Sequence, residues 1–183
     1  MCHALLHNPS FFRLLRRIDE ELADEARRRG CRCGGALHRA NYPRKPRGCP
    51  GAVRAEFESR LSFCCGRCRR RTTSMSVRFL GRRVYVALMM VLASARHAEP
   101  MPARTGLAGA LGVPLRTLAR WRAWWVEQLP ATSFWRAACA RLMPPVSAAH
   151  LPASLLARFG DDAAQAMTLM LRFLSPITIG AIR

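Results

Sequence analysis

Two tight cysteine pairs carry the most specific chemistry in this chain. Cys31-Arg32-Cys33-Gly34-Gly35 offers two thiols one residue apart, and Cys65-Gly66-Arg67-Cys68 offers two more with the two-residue gap usual for a metal knuckle. A thiolate pair on a tight turn points both sulfurs at one ion, and two such pairs close a tetrahedron around Zn2+. Glycines beside each pair relieve the backbone where it doubles back. Four protein ligands leave no open coordination position, so the site expected from Cys31, Cys33, Cys65 and Cys68 is structural rather than catalytic. The first pair is one residue shorter than usual. Cys64 stays open as a replacement for Cys65, and His38 or Cys49 as a replacement for Cys31. Cys2 and Cys139 have no neighbouring cysteine and read as ordinary thiols.

Arginines surround the second pair. Arg67, Arg69, Arg70 and Arg71 lead into Thr72 and Thr73, and Arg78, Arg82 and Arg83 follow. A guanidinium can hold a phosphate through two parallel hydrogen bonds. The chain of 183 residues carries 30 Lys and Arg against 11 Asp and Glu, a formal net charge of +19. Lys45 is the single lysine. The charge is uneven: residues 1–30 are net +1, residues 31–83 net +12 and residues 84–183 net +6. Such a field favours polyanions, with the contact face expected first in 31–83. Arg69, Arg70 and Arg71 are expected to hold DNA phosphates, which gives affinity and salt dependence but no sequence choice.

A third constellation lies further on. In Thr105-Gly106-Leu107-Ala108-Gly109-Ala110-Leu111-Gly112-Val113-Pro114-Leu115-Arg116-Thr117-Leu118-Ala119-Arg120-Trp121, Ala108 stands four residues before Gly112, where two helices must cross closely. Gly112 suits the left-handed turn of a helix-turn-helix. Leu107, Leu111, Val113, Leu118 and Trp121 fall where such a unit buries its core, and Arg116, Ala119, Arg120 and Ala123 face outward. Arg116 and Arg120 on a recognition helix can read guanine in the major groove. Thr117 belongs to the same DNA-contacting turn, and Arg122 is better placed for a phosphate.

These groups need elements to position them. Residues 11–29 read as an amphipathic helix with Ser10 as N-cap and Gly30 as stop. Phe11, Leu14, Leu15, Ile18 and Leu22 form its buried face, while Asp19, Glu20, Glu21, Asp24 and Glu25 precede Arg27, Arg28 and Arg29 as the helix dipole favours. Residues 30–80 lose the helical period. Segments 36–40 and 57–63 suit short strands, and 42–51 reads as a loop because of its three prolines. A segment this poor in core residues needs a metal staple. Helical pattern returns at 84–95, 104–111 and 115–128, and Pro130 is expected to close the set. Two or three further helices follow, broken at Pro144-Pro145, Pro152 and Gly160. The expected fold is therefore mainly α with a small β zinc ribbon. Its parts are an N-terminal helix (1–30), the ribbon (31–80), a three-helix helix-turn-helix domain (82–129) and a C-terminal helical region (131–183).

Residues 31–77 resemble the zinc ribbon of bacterial insertion-sequence transposases, with a cysteine pair, a basic strand, and a second pair followed by a Ser/Thr-rich strand. Gly112-Val113 through Thr117-Leu118-Ala119-Arg120-Trp121 resembles the helix-turn-helix of bacterial DNA-invertases and of many transposase N-terminal regions. The resemblance implies that Arg116 and Arg120 contact bases. The order of the two modules is also similar to small bacterial DNA-binding proteins encoded near mobile elements. It covers residues 31–125.

Catalysis is not expected. A metal-dependent transposase core needs three clustered carboxylates, and after the helix-turn-helix only Glu127, Asp161 and Asp162 are acidic. A Gly-rich phosphate loop with its lysine is missing, and His97 and His150 stand alone. The apolar run at 84–95 is too short to span a bilayer, and the N-terminus lacks secretory order. A cytoplasmic, non-enzymatic protein is expected, with DNA as partner, no small-molecule substrate, and a second copy or a transposase as possible protein partner. Three rivals stand beside it: an RNA-binding zinc ribbon, the DNA-binding remnant of a transposase, and a protein-binding scaffold.

Overall fold

The computed structural model describes residues 2–80, 85–95, 109 and 112–179. Pro9–Arg29 forms helix α1. Its cap is Asn8 rather than Ser10: the Asn8 side-chain oxygen accepts from the Phe11 amide at 3.2 Å, and Pro9 takes the first helical position, where a missing N–H costs nothing. Gly30, at φ +70°, ends the helix as expected. The buried face comprises Phe11, Phe12, Leu15, Ile18 and Ala23, together with Asp19, which is not part of the solvated acidic group.

The cysteine-rich segment folds as an antiparallel sheet of β1 (Leu37–Arg39), β4 (Ser62–Cys65) and β5 (Arg71–Thr73) in the order β1-β4-β5. His38 faces Cys64, and Phe63 faces Thr72. A second ladder pairs β2 (Tyr42–Pro43) with β3 (Ser59–Arg60). The expected 42–51 loop therefore begins as a strand. Pro43 is tolerated because the ladder is only two residues long, and the next amide, Arg44, donates to the Glu58 carbonyl at 2.7 Å. Nor is the segment free of helix: a 3-10 turn, Gly51–Val53, leads into α2 (Arg54–Phe57), which buries Val53 and Phe57 four residues apart.

Helix α3 (Ala87–Ala95) is apolar on all sides, and Ala87 through Ser94 are all buried, as a central helix requires. After Gly112 (φ +59°), Val113 and Pro114, helix α4 (Leu115–Ala123) continues through a wide π-turn, Trp124–Gln128, into Leu129–Ala131. Pro130 does not end it, because the widened turn precedes it. The stop is Thr132, whose hydroxyl accepts from the Trp135 amide and caps α5 (Ser133–Cys139). Helices α6 (Ala153–Leu156) and α7 (Ala163–Leu174) complete the chain, the latter capped by Asp162.

One apolar core runs from Leu5 through α1, α2, residues 77–80, α3 and the tryptophans of the α4 extension to Ile177. It crosses residue 80, where the ribbon and helical regions were expected to separate. A smaller cluster of Ala23, Leu37, Leu61, Phe63 and Cys65 lies under the β1-β4-β5 sheet, so α1 supplies residues to both. Of the expected helix at 104–111 only Gly109 is described, as a helical residue whose carbonyl accepts from the Gly112 amide at 3.1 Å; Leu107 and Leu111, as well as Arg82, Arg83, Val84 and His97, lie outside the described residues.

Candidate metal centre and arginine face

The two cysteine pairs meet. The sulfurs of Cys31, Cys33, Cys65 and Cys68 all lie within 4.8 Å of one another, with Cys31–Cys68, Cys31–Cys33 and Cys33–Cys65 each at 3.5 Å. Four sulfurs bound tetrahedrally at the usual Zn–S length would stand about 3.8 Å apart. The donor set thus fits a single tetrahedral ion. The shorter first pair is accommodated by its turn, in which the Gly34 amide (φ +77°) donates to the Cys31 carbonyl at 2.8 Å.

Neighbouring groups explain why only these four converge. A β-carbon on Gly35 would sit 2.6 Å from the Cys65 sulfur and 3.3 Å from that of Cys33, so a side chain there would occupy the space between the pairs. Cys64 follows the alternation of its strand and turns away, its sulfur meeting the Arg69 carbonyl at 3.5 Å. His38 is exposed and lies against Gly66. Cys49 is outside the cluster, and burial pushes its thiol up.

The second knuckle turns through Arg69, the one described non-glycine residue with positive φ (+60°). Its amide donates to the Cys65 carbonyl at 3.0 Å, and the Cys68 amide points at the Cys65 sulfur at 3.4 Å. That amide, opposed by desolvation, draws the Cys65 thiol down to about 6. Cys68 behaves oppositely: the Arg70 amide favours its thiolate, but contacts with the Cys33 and Cys31 sulfurs push it up to about 12.

Of the expected phosphate contacts, Arg69 and Arg70 are exposed on this knuckle. Arg71 is exposed but partly engaged: its guanidinium donates to the Ala40 carbonyl at 2.9 Å and the Ser62 hydroxyl at 3.3 Å, and stacks over Tyr42. Arg67 reaches across to the Cys33 carbonyl at 3.2 Å, linking the two knuckles. Arg78, grouped with these arginines in the sequence, is fully buried and paired with Asp19. On α4, Arg116, Ala119 and Arg120 are exposed as expected, Ala123 and Arg122 are half-buried, and Val113 and Trp121 are buried. Thr117 does not face outward: it is buried, and its hydroxyl accepts from Arg120 at 3.2 Å. Leu118, expected in the core, is half-buried instead. Trp124 and Trp125 are core residues, packed edge to face at 4.7 Å.

The roles of Gly35 and Arg69 were not evident in the sequence. Arg69 follows the second cysteine pair directly and Gly35 stands two residues after the first, where a backbone that must return over the sulfurs has little room, and that proximity was the available signal. No helix among the described residues is long and apolar enough to cross a membrane. The chain matches no protein-family model, no curated protein and no solved structure.

Proposed function

We propose that this chain is a DNA-binding protein in which a zinc ion, held by Cys31, Cys33, Cys65 and Cys68, fixes an arginine-bearing ribbon beside a recognition helix. The observation that carries the reading is the exposure of Arg69 and Arg70, without ion-pair partners among the described residues, on the knuckle that Cys65 and Cys68 close. Zinc fits the donor set because four thiolates in a tetrahedron are its usual structural coordination. Bound there, the ion supplies cross-linking rather than reaction chemistry. The ribbon arginines hold phosphates, and Arg116 and Arg120 on the exposed face of α4 contact base edges. Arg120 also donates to Thr117, which restrains its guanidinium before it meets DNA. Thr117 acts here by positioning Arg120 rather than by touching a base.

A net charge of +19 means that retention on DNA at low salt carries little information. The discriminating experiment uses zinc-loaded full-length protein, fragmented genomic DNA from the source organism and excess competitor at physiological salt. Enrichment of one short motif supports a sequence reader. Enrichment at mobile-element ends would favour a part in transposition, and enrichment at promoters a transcriptional regulator. Retention without any motif overturns sequence reading by α4.

A further inference from the structure

The segment between β2 and the Gly51–Val53 turn is rich in proline and cations, and its sequence reads as a loop. It is instead pinned along its length. The Arg44 amide donates to the Glu58 carbonyl at 2.7 Å, Pro46 is buried, and the Arg47 carbonyl accepts from the Val86 amide at 3.0 Å. Gly48, at φ +81°, lies so close to α3 that a β-carbon there would meet the Met89 side chain, standing 3.2 Å from its Cβ. A loop held this firmly loses little further conformational freedom when it binds a partner.

Two of its three charged groups face solvent. Lys45 and Arg47 are exposed and have no ion-pair partner among the described residues. The Arg47 guanidinium lies over the Tyr85 ring at 6.0 Å, and Tyr85 meets Trp121 of α4 edge to face at 5.0 Å. A guanidinium drawn to a ring by its charge keeps N–H donors that can reach two phosphate oxygens. The chain of contacts Arg47–Tyr85–Trp121 reaches α4 beside Arg120 and Arg122.

We propose that the pinned loop carrying Lys45 and Arg47 is a phosphate-binding element for duplex DNA, joined to α4 through Tyr85 and Trp121. It makes the ribbon and α4 two parts of one contact surface of fixed spacing. The inference rests on the DNA reading above and adds a site that reading does not use. Lys45 supplies a point charge, and Arg47 supplies an oriented fork. Neither selects sequence; both add affinity and salt dependence.

The test uses zinc-loaded full-length protein and a mixed-sequence DNA duplex three helical turns long, titrated over a range of salt. Removal of two phosphate contacts makes the slope of log affinity against log salt shallower by about 2, and lowers affinity on the order of 30-fold at about 0.15 M salt. The Lys45→Ala, Arg47→Ala double variant should show both changes with the motif preference of the genomic selection unaltered. The charge-preserving Lys45→Arg, Arg47→Lys variant should keep most of the slope, which separates lost charge from a damaged fold. An unchanged slope and affinity in the alanine variant overturns the inference while leaving the DNA reading intact. Failure of the wild-type chain to retain the duplex at about 0.15 M salt overturns that reading instead. Tighter wild-type binding to a hairpin RNA than to the duplex, with the same loss in the alanine variant, overturns DNA as the loop's partner.

Discussion

Asp19 of α1 and Arg78 of the segment after β5 meet at 2.8 Å, Oδ2 to Nε, with neither side chain exposed to solvent. Both groups have further partners. Asp19 also accepts from the Ser76 hydroxyl at 2.6 Å and the Val77 amide at 2.7 Å. Arg78 donates to the Glu56 and Ser59 carbonyls and lies over the rings of Phe57 and Phe79. Burial pulls the Arg78 guanidinium down from its ordinary value, and Asp19 opposes that pull. The pair therefore locks α1, α2 and the exit from the ribbon into one piece.

Asp19→Ala removes one partner and strands the other charge in the core, which costs about 3–5 kcal/mol. Denaturant unfolding of the zinc-loaded protein should show that loss. A change below about 1 kcal/mol would mean that Arg78 finds water or another acceptor, and that the pair does not hold the elements together.

Zinc is expected at one ion per chain in protein purified without chelator, measured by elemental analysis. Among the described residues, the buried members of the apolar cluster under the β1-β4-β5 sheet are Ala23, Leu37, Leu61, Phe63 and Cys65, with Ala26, Cys31, Cys33 and Cys68 partly buried against them. So small a cluster does not hold three short strands without a cross-link. Chelation should therefore abolish amide protection in β1, β4 and β5 before it affects α3 or α7. Simultaneous loss of protection everywhere would show that the ribbon and the larger core unfold as one unit.

Metal affinity should fall as pH falls, because thiols must ionise to bind. The sign follows from Cys65 and Cys68. Near neutral pH, Cys65 is already a thiolate with its value drawn down to about 6, while Cys68, pushed up to about 12, must lose a proton on metal uptake. Below about pH 6 Cys65 takes up a proton too, and the dependence of log affinity on pH steepens there. Competition with a chromophoric chelator between pH 8 and pH 5 measures it. An affinity that does not vary with pH would show that these sulfurs are not the ligands.

The cysteine pairs were legible in the sequence because their spacing alone forces two sulfurs onto one turn. The exposed face of α4 was legible because helical periodicity fixes Arg116, Ala119 and Arg120 on one side. Other features depend on contacts distant in sequence. Asp19 follows Phe12 and Leu15 by seven and four residues, so its place within the apolar stripe was visible, but its partner lies in another element. Arg78 belongs by composition to a basic run, and only the packing of α1 against that run withdraws it from solvent. The strand at Tyr42 and the pinning of Arg47 are likewise tertiary effects: β3 and Val86, the residue before α3, supply hydrogen bonds that local propensity does not anticipate. The same reason hid the helical turn at Gly51–Phe57, which Val53 and Phe57 anchor in the core.

Arg69 adopts φ +60°, a conformation costing a non-glycine residue about 1–2 kcal/mol. Glycine avoids that cost but adds unfolded-state entropy of about 0.5–1 kcal/mol. Arg69→Gly should therefore raise the stability of the zinc-loaded protein by up to about 1 kcal/mol, while β-branched Arg69→Val should lower it. If Arg69 also holds a phosphate, the glycine variant should be more stable yet show a shallower salt dependence in DNA binding. Thermal unfolding and a salt titration on the same preparation separate the two effects. Lower stability on glycine substitution would show that the guanidinium itself helps hold the knuckle.

Arg116 and Arg120 make opposite demands on the assay from the ribbon arginines. A base-edge contact contributes to the cognate site alone, so Arg116→Ala and Arg120→Ala should each cost about 1–3 kcal/mol there and far less on random DNA. Loss of a phosphate contact at Arg70 should weaken both duplexes alike and reduce the salt slope by about 1. Arg120 carries a second signature, because its guanidinium donates to Thr117 at 3.2 Å. Thr117→Val keeps the buried shape and removes the hydroxyl, so it should lower cognate affinity only where Arg120 is present. A double-mutant cycle over Thr117 and Arg120 reads that coupling directly. Equal losses on cognate and random duplexes for both arginines would reassign α4 from base reading to backbone contact.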